Sequence, residues 1–285
     1  MIRRIFAAAP LIWAFAVPLR AGPPPSAPPP EFAATTGPAV GESLERLDRF
    51  RDGGPQAPYY LEFRLREFPR RGAESDFAGR LWGSRSDMGA VLRLELNPGT
   101  PAERRYLLQN GPEASVWLWM PGGGAPRKVD AFEPLLPGLD LTPFDLEMPF
   151  LYWPDPETEG IHRMLGRPAE LFDFRAPPGA GLGGPGVAAV RAYLDTQYAA
   201  PVQIERLAAD GRVLSTFSLV DLKMVGDQWM PKDIEARDEA SRDKTRFTMV
   251  AAALGLSIDP EFFTPNALSG AGVPPPAVSI RRFGL

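Results

Sequence analysis

Tyr59–Phe68 reads YYLEFRLREF. Tyr59, Leu61, Phe63 and Leu65 fall on one side of a two-residue period, and Glu62, Arg64 and Arg66 fall on the other. Successive side chains of an extended backbone point to opposite sides, so this pattern predicts a strand with one packed face and one wet face. The alternation returns in VLRLEL, where Leu92, Leu94 and Leu96 oppose Arg93 and Glu95, and less cleanly in DFAGRLWGS and RRYLLQ. Past the middle of the chain it recurs in AAVRAYLDTQY, PVQIERLAADGRVLSTFSLVDLKMV, QWMPKDIEARD and KTRFTMVAAAL, with Asp210-Gly211 the clearest hairpin turn. Gly, Asn and Pro clusters separate the runs, as an antiparallel meander requires. About ten or eleven strands with few helices predict a mainly antiparallel α+β protein. Its large sheet must cover or close its apolar face.

Outside the strands the chain is organised by composition. MIRRIF supplies a short positive region and Ile5–Leu19 a mostly apolar run followed by Arg20-Ala21-Gly22, which predicts a secretory signal over 1–21. The run is interrupted by Pro10 and Pro18 and is short for a span of about 20 residues. A proline-rich tether follows over 22–40, and the folded domain is expected over 41–268 with a C-terminal tail over 269–285. Leu44, Leu47 and Phe50 lie at helical spacing in Gly41–Arg51, ahead of the stop signal Asp52-Gly53-Gly54-Pro55. Asp130–Gly160 has no strand period and reads as short helices or an ordered loop packed on the sheet, and Pro177–Gly186 as a linker.

The residues that would carry covalent or metal chemistry are scarce. There is no cysteine among 285 residues, which removes disulfides, thiolate nucleophiles, thiolate-bound metals and a lipidated N-terminal cysteine. His162 is the single histidine, without a G-x-S-x-G elbow or a second imidazole, and is expected at a surface or edge strand. Loss of the leader would leave 28 basic residues against 35 acidic, a balance opposed to nonspecific nucleic-acid binding. Asp140, Asp145, Glu147, Asp155, Glu157 and Glu159 cluster without a calcium-loop spacing, and read as a solvated acidic loop rather than a paired-carboxylate hydrolase site. No cofactor, metal or catalytic residue is expected. What remains is apolar surface. In VWLWM, Trp117 and Trp119 share one strand face while Val116, Leu118 and Met120 share the other, so both faces call for burial.

Five stretches carry a family resemblance. RRYLLQNGPEASVWLWMPGGGAPRKV, DLTPFDLEMPFLYW, HRMLGRPAELFDFRAPPG, YLDTQYAAPVQIERLAADGRVLSTFSL and the run from Gly226 to Leu268 occur in an order that resembles the bacterial outer-membrane lipoprotein-sorting proteins, the LolA/LolB-like superfamily. The resemblance covers roughly Tyr59–Leu268. It implies an incomplete, half-open β-barrel around an apolar cavity, with a short helical lid. It also implies a periplasmic carrier, not an enzyme, that binds lipoprotein acyl chains or other lipids and shuttles them toward the outer membrane. An inner-membrane transporter and an outer-membrane acceptor are its implied partners. On this basis Phe63, Leu65, Leu92, Leu94, Trp117 and Trp119 are expected in the cavity wall, and Phe144, Met148, Phe150, Leu151 and Trp153 in the lid. Arg127 and Lys128 are expected as rim charges for lipid head groups. The alternative is a cell-envelope interaction module, accessory to a membrane transporter, with a filled core.

Overall fold

In the computed structural model, residues 40–177, 186–198 and 200–284 are described; the expected signal, nearly all of the tether and most of the Pro177–Gly186 linker lie outside them. The first helix, α1 (Val40–Arg51), turns Leu47 and Ser43 inward, with Phe50 half-buried beside them, while Leu44 is exposed, against expectation. The strands that follow are β1 (Tyr59–Phe68), β2 (Ser75–Ser86), β3 (Gly89–Leu96), β4 (Arg104–Gln109), β5 (Ser115–Trp119) and β6 (Arg127–Val129). A short helix α2 (Pro143–Glu147) and a 3-10 turn (Pro149–Tyr152) interrupt them. The second series is β7 (Glu157–Met164), β8 (Arg167–Arg175), β9 (Ala189–Asp195), β10 (Pro201–Leu207), β11 (Val213–Val225), β12 (Gln228–Asp238), β13 (Lys244–Ala253) and β14 (Arg281–Arg282).

These strands form one antiparallel sheet in the order β6-β5-β4-β3-β2-β1-β13-β12-β11-β10-β9-β8-β7, with β14 added beside β13. The count is fourteen rather than ten or eleven for three local reasons. HRMLGRPAEL is two strands joined by the two-residue turn Leu165-Gly166, and β6 and β14 are too short for a period to show. Two meanders, β1–β6 and β7–β13, meet where β1 pairs with β13, so the sheet ends at β6 and β7 and stays open. His162 lies exposed on the terminal strand β7, as expected of an edge histidine.

Phe63, Leu65, Leu81, Leu94, Leu108 and Leu118 point to the concave face and join the main core. Curvature there depends on two glycines of β2. Gly79 lies opposite Phe63 and Gly83 opposite Tyr59, and a Cβ at either position would overlap the facing aromatic ring. The rings therefore lie flat across the neighbouring strand, a device that lets a sheet bend.

The opposite face is also buried. Arg93 and Glu95, expected to meet water, are 1% and 0% exposed. They lie beneath the chain after β13, which crosses the outer face through 3-10 turns at Pro260–Phe263 and Asn266–Ser269. Arg93 donates to the carbonyls of Phe262 and Ala267, each at 3.2 Å, and to Gly270 O, and stacks on the Phe262 ring at 4.1 Å. Arg105 donates to Leu268 O at 3.3 Å and Ser269 O at 2.5 Å, and Glu95 accepts from Gly272 N–H. The chain after β13 is thus a strap that begins within the expected domain and continues through the expected tail (269–285), where β14 pairs with Ala251 and Ala252.

Replacing Gly79 by Val should lower the urea midpoint by an amount equivalent to about 1–3 kcal/mol, the range for overpacking. An unchanged midpoint would contradict the role given to the Phe63 ring.

Candidate functional site

The segment 130–156 spans from β6 to β7, the two ends of the open sheet, and lays its apolar side chains on the concave face. Proline at the first position of α2 pre-sets its helical start. The N–H and hydroxyl of Thr142 both donate to Asp145 Oδ2, at 2.9 and 2.7 Å. Met148, in the left-handed region at φ 53°, stops α2 and redirects the chain into the 3-10 turn. The turn and helix together present an aromatic cluster. Phe144 stacks on Phe132 at 4.3 Å and tilts toward Phe150 at 5.8 Å, and Phe150 meets Phe174 of β8 edge-on at 5.3 Å.

All five residues expected in the lid lie in this element. Phe144, Phe150, Leu151 and Trp153 are buried, and Met148 packs half-buried against the same core. Of the expected wall, Phe63, Leu65 and Leu94 lie beneath the lid in the main core, and Leu92 lines its margin. Trp117 and Trp119 do not belong to this set. They point to the outer face, where they pack with Val91, Leu107 and Leu268, and Trp119 carries the Arg105 guanidinium at 4.1 Å. The reason is register: Trp117 pairs with Leu107 and Leu107 with Arg93, so the tryptophan shares the strap-covered side. Arg127 and Lys128 are exposed on the terminal strand β6, with Lys128 Nζ 5.6 Å from the Trp117 ring centre.

The concave face holds the chain's own side chains, and clefts open along the lid's margins. One of about 370 Å³ lies between Val116, Val129 and Pro177, with Glu147, Pro149 and Trp153 along it. A second of about 190 Å³ lies between the end of α1 and β1–β4, lined by Tyr59, Leu92, Leu108, Met148 and Leu151.

Hydrogen bonds secure the lid at several points. Arg51, the last residue of α1, donates through Nε to Leu151 O at 2.8 Å and through a second nitrogen to the same carbonyl. Tyr106 hydroxyl donates to Leu135 O at 2.8 Å, and Asp140 N–H donates to Thr245 Oγ1 of β13 at 2.8 Å. Ser115 N–H donates to Glu147 Oε1 at 3.1 Å. The periodicity of the sequence pointed to none of these residues as latches; the basic final turn of α1 was the one available signal.

The acidic loop is not solvated throughout. Asp145 and Glu147 are buried and Asp140 is half-buried. Burial pushes the Glu147 carboxyl up to about 8, and the Ser115 N–H offsets this only in part. Burial, followed by the nearby carboxylates of Asp238, Asp243 and Glu67, raises Asp140 to about 7 against the opposing pull of Arg206. Among the described residues no group of three or more His, Asp or Glu side chains could hold a metal ion.

An open antiparallel sheet curved around an apolar face, with a helical lid joining its two ends, is the LolA-like half-barrel. Solved structures agree. An outer-membrane lipoprotein-sorting protein domain from Vibrio parahaemolyticus superposes with a TM-score of 0.67 at 14% identity, over 83% of this chain and 99% of that one. A LolA superfamily protein from Nitrosomonas europaea gives 0.60 at 15% identity, over 79% and 96%. A DUF1329 family protein from Desulfovibrio piger gives 0.67 at 10% identity, over 80% and 98%. The chain has the LolA-like fold. A family model described as an uncharacterized protein matches residues 187–270, and comparison with curated proteins finds no match.

Raised carboxylates make the closed lid sensitive to base. In the closed state Glu147 and Asp140 hold protons more tightly than the ordinary carboxylate range, so closure is most favoured at low pH, loses stability as pH rises from the ordinary carboxylate range up to about 7 to 8, and levels off above that. The denaturation midpoint should fall between pH 6 and pH 9. Glu147→Gln, which keeps an acceptor for Ser115 N–H, should recover part of that loss at pH 9 and change little at pH 5. A pH-independent midpoint would contradict the burial of these groups.

Proposed function

We propose that this chain is a periplasmic lipid carrier, which takes the acyl chains of a lipid or lipoprotein against its concave face and delivers them toward the outer membrane. The lid is the observation that carries the proposal. Phe144, Phe150, Leu151 and Trp153 occupy the concave face as a removable apolar plug, held at its margins by latches such as Arg51 to Leu151 O. Displacing it would expose Phe63, Leu65, Leu92 and Leu94 as a wall for hydrocarbon. A fourteen-carbon chain supplies about 10 kcal/mol at about 0.8 kcal/mol per buried CH₂. The departing lid gives up burial of the same kind, so exchange lies near balance and the polar latches set its direction. An inner-membrane transporter as donor and an outer-membrane acceptor are the partners this role calls for, and no cofactor or catalytic group takes part. The signal expected over 1–21 supports the compartment.

A second reading, a cell-envelope module that docks a transporter, is favoured by the filled concave face. Ligand uptake separates the two. Protein recovered from the periplasm should yield lipid on organic extraction and should bind a fluorescent acyl ligand saturably. Arg51→Leu should speed uptake about tenfold, since a hydrogen bond from a charged donor is worth about 1.5 kcal/mol or more. Trp117→Ala should leave uptake unchanged. Lipid-free protein that takes up no acyl ligand would overturn the carrier reading in favour of the module.

A further inference from the structure

The end of the sheet formed by the β7–β8, β9–β10 and β11–β12 turns carries features that neither lid nor strap explains. The β10–β11 ladder stops at Gln203–Ser218, and the β12–β13 ladder stops at Asp233–Thr248. Between these limits, residues 220–232 pair only across their own hairpin, so β11 and β12 run past their neighbours as a two-stranded arm that seats Val225 and Met230 in the main core and leaves its other face outward. On this arm Met224 lies directly opposite Trp229, and the two are 43% and 40% exposed. Trp229 meets Tyr198 of the β9–β10 turn edge-on at 5.7 Å, and Tyr198, itself 43% exposed, lies under the Arg167 guanidinium at 5.7 Å. One residue before Gly166 and two before Arg167, Leu165 forms the tip of the β7–β8 turn and is 61% exposed.

Leu165 conflicts with its own backbone. It sits at φ 48° and Gly166 at φ 83°, so both central positions of this two-residue turn are left-handed, where Asn, Asp or Gly is favoured. A large apolar side chain gains nothing there from the fold, being neither packed nor conformationally suited. Such a disagreement between local preference and observed residue marks a position held for something other than folding.

We propose that this row of turn tips is a membrane-docking edge that rests on the headgroup–acyl boundary of a lipid bilayer. Trp and Tyr combine an apolar ring with a polar atom and favour that depth, and Leu and Met supply hydrocarbon contact. Arg163, exposed two residues before Leu165 on the same turn, can meet lipid phosphates. The shape also favours a bilayer. The row exposes four apolar side chains, Leu165, Tyr198, Met224 and Trp229, far short of the roughly 800 Å² of contiguous surface on each side that a stable protein partner needs. The inference stands apart from the carrier reading, because it uses no residue of the lid or concave face.

The full chain should float with vesicles of phosphatidylethanolamine containing a minor fraction of phosphatidylglycerol. Lipid brominated near the headgroup should quench its fluorescence more than it quenches Trp229→Phe, a difference that isolates Trp229 whatever else holds the protein to the bilayer. Leu165→Asn combined with Trp229→Ala should weaken vesicle binding at least about tenfold, equivalent to about 1.4 kcal/mol. Asn suits the left-handed turn, so that substitution should preserve the unfolding midpoint and exclude misfolding as the cause. Equal flotation of the double variant, equal quenching of Trp229→Phe, or binding of these residues to a protein without any vesicle binding would each overturn the proposal.

Discussion

Every pairing in the main sheet but one joins strands that are neighbours in sequence, and the exception, β1 with β13, holds the molecule together. Without it there would be two meanders and no shared concavity. The seam is reinforced on the concave side by Phe63 stacked on Phe247 at 4.6 Å. It also positions both covers. The lid is tied to β13 through Thr245 and the C-terminal strap through β14. Because the contact spans nearly the whole domain, its loop-closure entropy must be met before the covers can dock, which predicts slow, β-type folding.

The two covers use different chemistry. The lid is an aromatic plug with a few latches, so most of its attachment is non-directional and can be exchanged for other hydrocarbon. The strap is held by guanidinium groups that point at particular carbonyls, with Arg93 and Glu95 buried side by side. Removing one partner of a buried charged pair strands the other, so detaching the strap would leave Arg93 and Glu95 uncovered. That contrast fits the proposed role, in which the strap stays in place and the lid moves. Glu147 and Asp140 sharpen the difference, because both lid carboxyls are more easily ionised when the lid is away from the sheet.

Much of the sheet was legible from side-chain alternation. β1 was visible at once, since Leu61, Phe63 and Leu65 alternate against charged partners. The lid was visible as a stretch with no strand period between two groups of strands. What alternation could not supply was the identity of the covering layer. Arg93 and Glu95 look like a wet face and are buried, because the strap that covers them lies more than 160 residues away in sequence. In β5 both faces are apolar, so the period alone gave Trp117 and Trp119 no orientation; register with Arg93 across β4 decides it. The acidic loop misled for a related reason. Asp145 reads as solvent-facing until its spacing from Thr142 is taken as a helix cap, and Glu147 is carried inward by the same short helix.

Fold and lid together lead to one physical claim, that lid and acyl ligand compete for the same concave face. Hydrogen–deuterium exchange at the backbone amides of Leu135, Phe144, Met148, Leu151 and Trp153 tests it most directly, since each is hydrogen-bonded in the closed lid. Saturation with an acyl ligand should accelerate exchange at these amides and leave the amides paired between β1 and β13 unchanged. Ligand binding that leaves the lid amides as protected as before, or protects them further, would contradict the account.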